Sequence, residues 1–433
     1  MNPADLLACG SLLVVVTGVV YALVGKKPKR KLYPPPKGRT SEQAALWWEK
    51  LGERGRAAQA WGDHHEAKGE YLLAAARYEE AVAHPPASDE KGFRAVSLLK
   101  RMLALFLAGH YSTALTAARQ IVSEETTDTI KDGLAYRVLA FVYGRVRWFA
   151  EAERALDEAG RRDQTAQDIS ETLALRCLLL LHQGYSSKVV ASVFPQVDRS
   201  SMPPARLVFW LAAALDELGD FDESEAALRS VIDLVALTED DPLLPVSSFQ
   251  YALALVHINQ NRFAEALAML DVAEPSILIQ KHERSRREAL AVRLRAETLA
   301  GMCEPDATRE RANELLREIV AHLPSFPNEY DALRYWDETL LYLAETLFYA
   351  GDAAGAFAIL ERFAGRDALR PIHLPRWHYW RGRCQEKLGD LPAARAEYEA
   401  VINTAVDPRA RYVRLARERP AGAGGDRGTE ALC

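Results

Sequence analysis

A repeated spacing of small and aromatic residues places the strongest constraint on the fold of this chain. The clearest copy is residues 69–86, GEYLLAAARYEEAVAHPP, in which Tyr71, Ala74, Tyr78 and Ala81 follow one another at intervals of three or four residues. These intervals place the four side chains on one face of an α-helix. The aromatic residue after the turn fits between two helices, and the alanine three positions later lets their backbones approach. The stretch therefore predicts a pair of closely packed helices.

Copies of this spacing recur at intervals of roughly forty residues, seven of them clear and two degenerate. One helix pair cannot bury its apolar face alone, so neighbouring pairs must stack to build a core. The sequence therefore predicts an all-α fold, an α-solenoid of about nine helix pairs whose first helix starts at Ser41, behind a Thr40–Gln43 capping box. The copies begin at or near Gly69, Gly109, Phe149, Gly184, Gly219, Phe263, Ala312, Gly351 and Gly389.

Residues 50–405 resemble the tetratricopeptide repeat (TPR) family. Trp61-Gly62 stands at the family's Leu-Gly position, and the alanine, aromatic and proline positions that follow it also match. Residues 386–401, EKLGDLPAARAEYEAV, match nearly as well. Most copies are longer than the family's repeat of about 34 residues, and Lys188 stands where the fourth copy should have alanine. The resemblance implies a right-handed solenoid of TPR-like pairs.

In this family the first helix of each pair lines a concave groove that binds a protein or peptide. The resemblance therefore implies a protein-binding domain over residues 41–415. A mostly apolar groove suits an amphipathic helix or an extended apolar peptide. The alternative, that the same positions pack against neighbouring helix pairs, stays open. The apolar candidates are Leu103, Phe106, Phe141, Phe209, Tyr251 and Leu255, preceded by Asp63 and Glu66 and followed by Glu345, Phe348, Tyr379 and Arg383.

The N-terminal segment has the length and charge pattern of a membrane anchor. Residues 6–24 contain no charged side chain, and a helix of about 20 apolar residues spans the hydrocarbon core. We therefore expect a transmembrane helix over residues 6–25. Basic residues on its C-terminal side predict a single-pass protein with its repeats in the cytoplasm, and the Ala- and Arg-rich body favours a bacterial inner membrane. This basic membrane flank consists of Lys26, Lys27, Lys29, Arg30 and Lys31.

The segments before and after the repeats differ from them in composition. Residues 26–40 are basic and proline-rich, which predicts an extended linker. Residues 416–433 are rich in glycine and charge, which predicts a disordered tail. The quartet Leu6–Cys9 resembles a lipoprotein processing box, so a lipoprotein-like envelope assembly factor stays open as an alternative.

Charge and motif content argue against several function classes. The net charge is −6 although residues 26–41 are strongly basic, so the remaining body is acidic and unsuited to nucleic acid. The five cysteines form no CxxC pair, and we expect Cys177, Cys303 and Cys384 to be buried hydrophobic residues. No phosphate-binding loop, HExxH or GxSxG motif occurs. We therefore expect no cofactor, no metal and no enzymatic activity.

Histidines and tryptophans near the repeats have plain structural interpretations. His64 and His65 are adjacent, so their rings point in different directions on a helix and do not converge on a metal. His373 and His378 are expected on the surface or in packing contacts. The pair Trp47-Trp48 favours packing of the first helices over a membrane-interface role.

The sequence therefore predicts a membrane-anchored scaffold that binds a protein or peptide and has no catalytic activity. Its mechanism is local concentration, because holding two partners at one surface raises their rate of encounter. The bilayer is a second partner, through the N-terminal helix. A self-assembling structural protein, and hence a homo-oligomer, is the alternative in another class. An enzyme or enzyme regulator with a site spread over several helices is the third.

Overall fold

The computed structural model describes residues 40–86, 90–123, 133–162, 165–198, 205–237, 246–279, 283–364 and 369–419. The chain divides into two compact units. The N-terminal unit contains the described residues from 40 to 175, and the C-terminal unit contains those from 176 to 419. Each unit is described by itself.

The N-terminal unit consists of helices joined by short turns. The side chain of Thr40 accepts a hydrogen bond from the backbone N–H of Gln43, and Gln43 caps Thr40 in return, which confirms the predicted start. The helices are α1 Ser41–Lys50, α2 Arg54–Ala67, α3 Tyr71–Ala83, α4 Glu90–Leu107, α5 Tyr111–Ser123, α6 Leu134–Arg145, α7 Phe149–Arg162 and the first part of α8 Ala166–His182.

The C-terminal unit continues the same pattern from the end of α8. Two short 3-10 turns, Leu323–Ser325 and Pro371–His373, interrupt it. Its further helices are α9 Ser186–Asp198, α10 Ala205–Leu218, α11 Phe221–Leu237, α12 Val246–Asn259, α13 Phe263–Ile279, α14 Glu283–Leu299, α15 Pro305–His322, α16 Glu329–Tyr335, α17 Asp337–Tyr349, α18 Ala353–Glu361, α19 Leu374–Leu388, α20 Leu391–Thr404 and α21 Arg411–Arg417.

The described residues are helical and contain no strand, as predicted. Nine pairs of a first and a second helix can be recognised among them. The second helices are α3, α5, α7, α9, α11, α13, α15, α18 and α20, and each of them starts within a few residues of a predicted copy or overlaps it. The third residue after the start of each second helix is at most 3% exposed. These residues are Ala74, Ala114, Ala152, Val189, Ser224, Ala266, Thr308, Ala356 and Ala394.

The fourth copy shows how the degenerate repeat is built. Lys188 was expected at the small position, counted from Tyr185. Helix α9 starts at Ser186, one residue later, so Val189 takes the position and is fully buried, as is Val193. Lys188 is exposed and its ammonium lies 3.6 Å from the centre of the Tyr185 ring. The expected assignment of Lys188 is therefore wrong by one residue.

Glycine in a first helix lets an aromatic residue of the second helix approach. A Cβ atom at Gly382 would lie 2.7 Å from Cε1 of Tyr398, and one at Gly62 would lie closer still to the Tyr78 ring. No real Cβ tolerates such distances, so these two positions require glycine. The hydroxyl groups of these tyrosines also bind carboxylates of the first helix. Tyr398, for example, donates to Glu386 at 2.7 Å.

Every turn inside a pair contains one residue with a left-handed backbone. Its φ lies between 62° and 90° in all nine turns, and glycine occupies seven of them. The exceptions are Arg147 and Asn261. A left-handed residue ends a helix by turning the chain away from the helix axis, and glycine does so without a Cβ clash.

The membrane and tail predictions fall mainly on residues that the structure does not describe. Residues 6–25, the basic membrane flank and the linker up to residue 39 lie outside the described ranges. Among the helices that are described, none combines the length and apolarity needed to cross a bilayer. Helix α21 ends at Arg417, two residues into the predicted tail 416–433.

Cys177 and Cys384 are buried as expected, but Cys303 is partly exposed in the turn before α15.

We expect two chemically identical substitutions to have opposite effects on stability. Gly351 has φ +82° and Gly160 lies in the exposed face of helix α7, and neither would bring a Cβ within 4 Å of another group. Gly351→Ala should lower the free energy of unfolding by about 1 kcal/mol, because the left-handed backbone disfavours a side chain. Gly160→Ala should raise it by about 0.5–1 kcal/mol. Urea unfolding followed by circular dichroism measures both, and equal effects would contradict the turn assignment.

Candidate binding surfaces

The six apolar groove candidates are all buried, with at most 5% of each residue exposed. In the N-terminal unit Leu103, Phe106 and Phe141 lie on first helices, and the rings of Phe106 and Phe141 are 4.9 Å apart. Ring contact between successive pairs is the packing role that the sequence left open. Their role in binding stays a prediction, because a ligand could reach them only if neighbouring side chains moved.

The other three candidates lie in the C-terminal unit. Phe209 packs edge-to-face on Phe249, with ring centres 5.5 Å apart. The hydroxyl of Tyr251 donates to Glu288 at 3.4 Å in a buried position. Leu255 borders a small cavity in this unit. Of the three, Leu255 is therefore the one placed beside an internal space.

The cavity beside Leu255 is polar and small. Its volume is about 40 Å³, which holds about three water molecules and no peptide. One first helix from each of five successive pairs contributes to the lining, and α21 completes it. We call this the inner surface; its lining residues are Asp216, Glu217, Leu255, Asn259, Arg295, Glu338, Tyr342, Arg376, Arg411 and Tyr412.

The first helices thus share a polar lining, while the apolar groove expected from the sequence stays a prediction. Nine of its ten lining residues are polar or charged. Of the flanking positions noted in the sequence, Glu345 and Tyr379 contact this surface through Arg376 and Tyr412. The signal that could have located it is the recurrence of acidic and arginine residues near the ends of α10, α14 and α19.

Two arginines of the inner surface pair with one carboxylate. Glu345 pairs with Arg295 at 2.8 Å and with Arg376 at 2.6 Å. Burial by itself raises the pKa of Glu345, but the two guanidinium groups outweigh it and hold the pKa below its usual value. The cluster is therefore ionised, with one more positive than negative charge among these three residues.

Asp216 and Glu217 form an acidic pair whose negative charge is less fully offset by arginines than that of Glu345. Burial raises the pKa of both, and that of Glu217 reaches about 7, with the neighbouring Asp216 adding to the rise. Asn259 donates to Asp216 at 2.9 Å, and Arg411 and Arg376 oppose the rise in both pKa values. The pKa of Glu217 therefore lies near neutral pH.

A second buried cluster joins the first and the last part of the C-terminal unit. The fully buried Arg370 lies 3.0 Å from Asp337 and 3.4 Å from Glu338, and its Nη1 is 3.2 Å from Nε2 of His182 at the end of α8. Burial lowers the pKa of Arg370 to about 9. His373, expected on the surface or in packing contacts, is buried 3.4 Å from Glu338.

The segment after α20 also contacts the N-terminal part of this unit. Oδ2 of Asp407 accepts a hydrogen bond from the backbone N–H of Ser187 at 2.7 Å. Arg414 donates to the carbonyl of Leu218 at 2.8 Å, and Arg409 lies 3.4 Å from Asp220. The last helix therefore lies against the turn between α10 and α11.

The N-terminal unit has a smaller polar cluster at its first pair. The hydroxyl of Tyr78 lies 2.8 Å from Asp63 and also bonds Glu66, while Lys100 pairs with Asp63. Burial raises the pKa of Glu66 to about 7, against the opposing effects of Tyr78 and Lys100. The predicted groove positions Asp63 and Glu66 therefore serve at least to hold Tyr78.

The aromatic and histidine residues near α1 to α3 take structural roles. Trp48 packs with Ala45, Ala57 and Ala60, and Trp47 lies against the same cluster, which matches the packing interpretation. His65 pairs with Glu70 at 2.7 Å. Within the part of the chain that the structure describes, no three His, Cys, Asp or Glu residues are arranged to hold a metal ion.

A family model described as tetratricopeptide repeat matches residues 211–276 and 341–410. Both segments lie in the C-terminal unit and contain complete second helices. The repeats there are tetratricopeptide-like. A comparison with curated protein sequences found no match.

Solved structures of similar helical repeats share little sequence with this chain. A tetratricopeptide repeat protein from Parabacteroides merdae is 13% identical, with a TM-score of 0.39, over 66% of this chain and 98% of that one. The TPR domain of P58(IPK) is 12% identical, with a TM-score of 0.23, over 84% and 96%. The APC/C hetero-tetramer Cut9-Hcn1 is 11% identical, with a TM-score of 0.27, over 87% and 89%. All three scores are below 0.5 and support no inference about function.

We expect Glu217→Gln to stabilise the protein in a pH-dependent way. The folded pKa of Glu217 is about 7, above its ordinary value of 4.5. The stability that the protonated carboxyl provides is therefore complete below pH 4.5 and is lost as the pH rises through 7. Glutamine stays neutral, so the variant should gain roughly 1 to 3 kcal/mol over the wild type at pH 8 and little at pH 5.

Urea unfolding at the two pH values measures this difference. Glu223→Gln is the matched control, because Glu223 is an exposed acid on the adjacent helix α11. Its effect should be small and equal at both pH values. A gain for Glu217→Gln that is the same at pH 5 and pH 8 would contradict the raised pKa.

Proposed function

We propose that this chain is a scaffold that binds another protein through its repeats while its N-terminal segment holds it at a membrane. The observation that carries the proposal is the convergence of first helices from five successive pairs on one inner surface. Such a surface presents side chains from distant parts of the sequence to a single ligand. The tetratricopeptide-like repeats support protein binding as the coarse function.

Membrane attachment rests on the sequence alone. The uncharged run 6–24 and the basic residues after it support a single-pass anchor with the repeats in the cytoplasm of a bacterium. A lipoprotein-like attachment through Cys9 is the alternative. In either case the scaffold raises the local concentration of its partner at the bilayer. We assign it no catalytic activity, since the sequence contains none of the catalytic motifs sought.

Self-assembly of the chain stays a prediction. Light scattering of the purified chain over a range of concentrations tests it, since a strict monomer at every concentration would contradict a homo-oligomer.

The membrane part of the proposal predicts the behaviour of the full chain on fractionation. The chain should sediment with membranes, resist alkaline washing and be released by detergent, while a variant without residues 6–25 should remain in the supernatant. A reporter at the C-terminus should be active in the cytoplasm. Recovery of the full chain in the supernatant without detergent would contradict the anchor.

The binding part predicts a position-dependent cross-link. A photo-reactive amino acid at position 217, on the inner surface, should give a discrete adduct with another protein in intact cells. The same amino acid at position 223 is the matched control, because Glu223 is an exposed acid on the second helix of the same pair. Equal cross-linking from both positions, or none from position 217, would contradict binding at the inner surface.

A further inference from the structure

The last helix of the described chain, α21, occupies part of the inner surface. Arg411 and Tyr412 both line its cavity. The guanidinium of Arg411 also lies 5.0 Å from the centre of the Phe221 ring, and the ring of Tyr412 lies 5.4 Å from that of Tyr379. Helix α21 therefore contributes side chains to the same cavity as the first helices.

The charge of this segment complements the surface beneath it. Residues 409–419 contain five arginines and a single acid, Glu418. Arg411 lines the same cavity as the Asp216–Glu217 pair and, together with Arg376, opposes the rise in pKa of both carboxyl groups. At the edges, Arg409 lies 3.4 Å from Asp220, and Arg419 lies 3.7 Å from Glu386.

The attachment of α21 relies on few apolar contacts. Its seven residues are too few to form a stable helix in isolation. Its buried apolar side chains are Val413 and Ala416, which are small, while Arg414 and Arg417 are exposed. The neighbouring α19 instead buries Trp377, Tyr379 and Trp380. Elements with little buried apolar surface open at lower free energy than the core that supports them.

We infer that α21 is an internal ligand of the inner surface, and that a partner protein displaces it with a short basic helix of the same chemistry. The partner helix carries an arginine for the Asp216–Glu217 pair, an adjacent aromatic residue for Tyr379, and a further basic residue one helical turn away for the carbonyl of Leu218. This inference rests on the proposed binding function of the inner surface. It defines the partner as an arginine- and aromatic-containing helix, in place of the apolar peptide expected from the sequence.

The first experiment supplies α21 in trans. A fluorescent peptide of residues 405–419 is titrated with the full chain in detergent, and its anisotropy is measured. The wild type should bind it weakly, because its own α21 occupies the surface. Val413→Asp should weaken the docking of α21 without touching the surface beneath, and should bind the peptide at least tenfold more tightly. Arg417→Gln, on the exposed side of α21, is the matched control and should behave as the wild type.

A second peptide tests the proposed chemistry. With Arg411→Glu and Tyr412→Ala in the peptide, binding to the Val413→Asp chain should be lost. Equal binding of the first peptide by the wild type and the Val413→Asp variant would overturn the inference. So would the absence of binding by a Val413→Asp variant whose circular dichroism spectrum remains helical.

Hydrogen exchange of the wild type covers the case in which Val413→Asp does not fold. The amides of residues 413–417 should exchange at least 100-fold faster than those in the middle of α19 and α10, through opening of α21 alone. Equal protection in the three helices would mean that α21 opens only with the whole unit, and the inference would be wrong.

The outcomes separate this inference from the proposed function. Peptide binding uses purified chain and requires no cellular partner, so it can succeed where cross-linking from position 217 fails. A partner cross-link from position 217 without peptide binding would leave the scaffold function standing and overturn the role of α21.

Discussion

The fold depends on the close approach of two helices within each pair. A small residue three positions into the second helix is buried in nearly every pair, and valine or threonine takes that place in the degenerate ones. Where an aromatic residue such as Tyr78 or Tyr398 lies beside the contact, the first helix supplies Gly62 or Gly382 to make room for its ring. This approach aligns the first helices of successive pairs, and their alignment creates a shared inner surface.

The C-terminal unit adds a second constraint, because its last helices return to its first ones. Polar contacts join them: Arg370 with His182, Asp407 with Ser187, and Arg414 with the carbonyl of Leu218. Buried charge contributes less to stability than apolar packing of equal volume, but it penalises every arrangement that leaves a charge unpaired. These contacts therefore favour one arrangement of the repeats in this unit, which contains a small polar cavity.

The repeats were predictable from the sequence because each copy is a local pattern. Gly109 with Ala114, or Gly389 with Ala394, marks a turn and the buried face of the following helix within a few residues. In the fourth copy the buried position is Val189 and not the predicted Lys188, because the helix begins at Ser186. The polar lining of the inner surface was not predictable from a local pattern, and the six apolar candidates, although buried, stay a prediction as binding residues. The docking of α21 depends on partners about 200 residues away in the sequence. A local periodic pattern cannot predict contacts between residues so far apart.

The acidic pair beneath α21 connects the repeat architecture to the proposed binding. Asp216 and Glu217 are adjacent on α10 and only partly exposed, and their burial among the first helices raises the pKa of each. Arg411 and Arg376 favour the ionised forms, while Glu345 already takes up Arg376. Docking and ionisation are linked. A group that lowers the pKa of Glu217 when it docks must dock more tightly when Glu217 is ionised. An arginine is therefore the group best matched to this place, whether it comes from α21 or from another protein, because it remains charged at every pH at which Glu217 titrates.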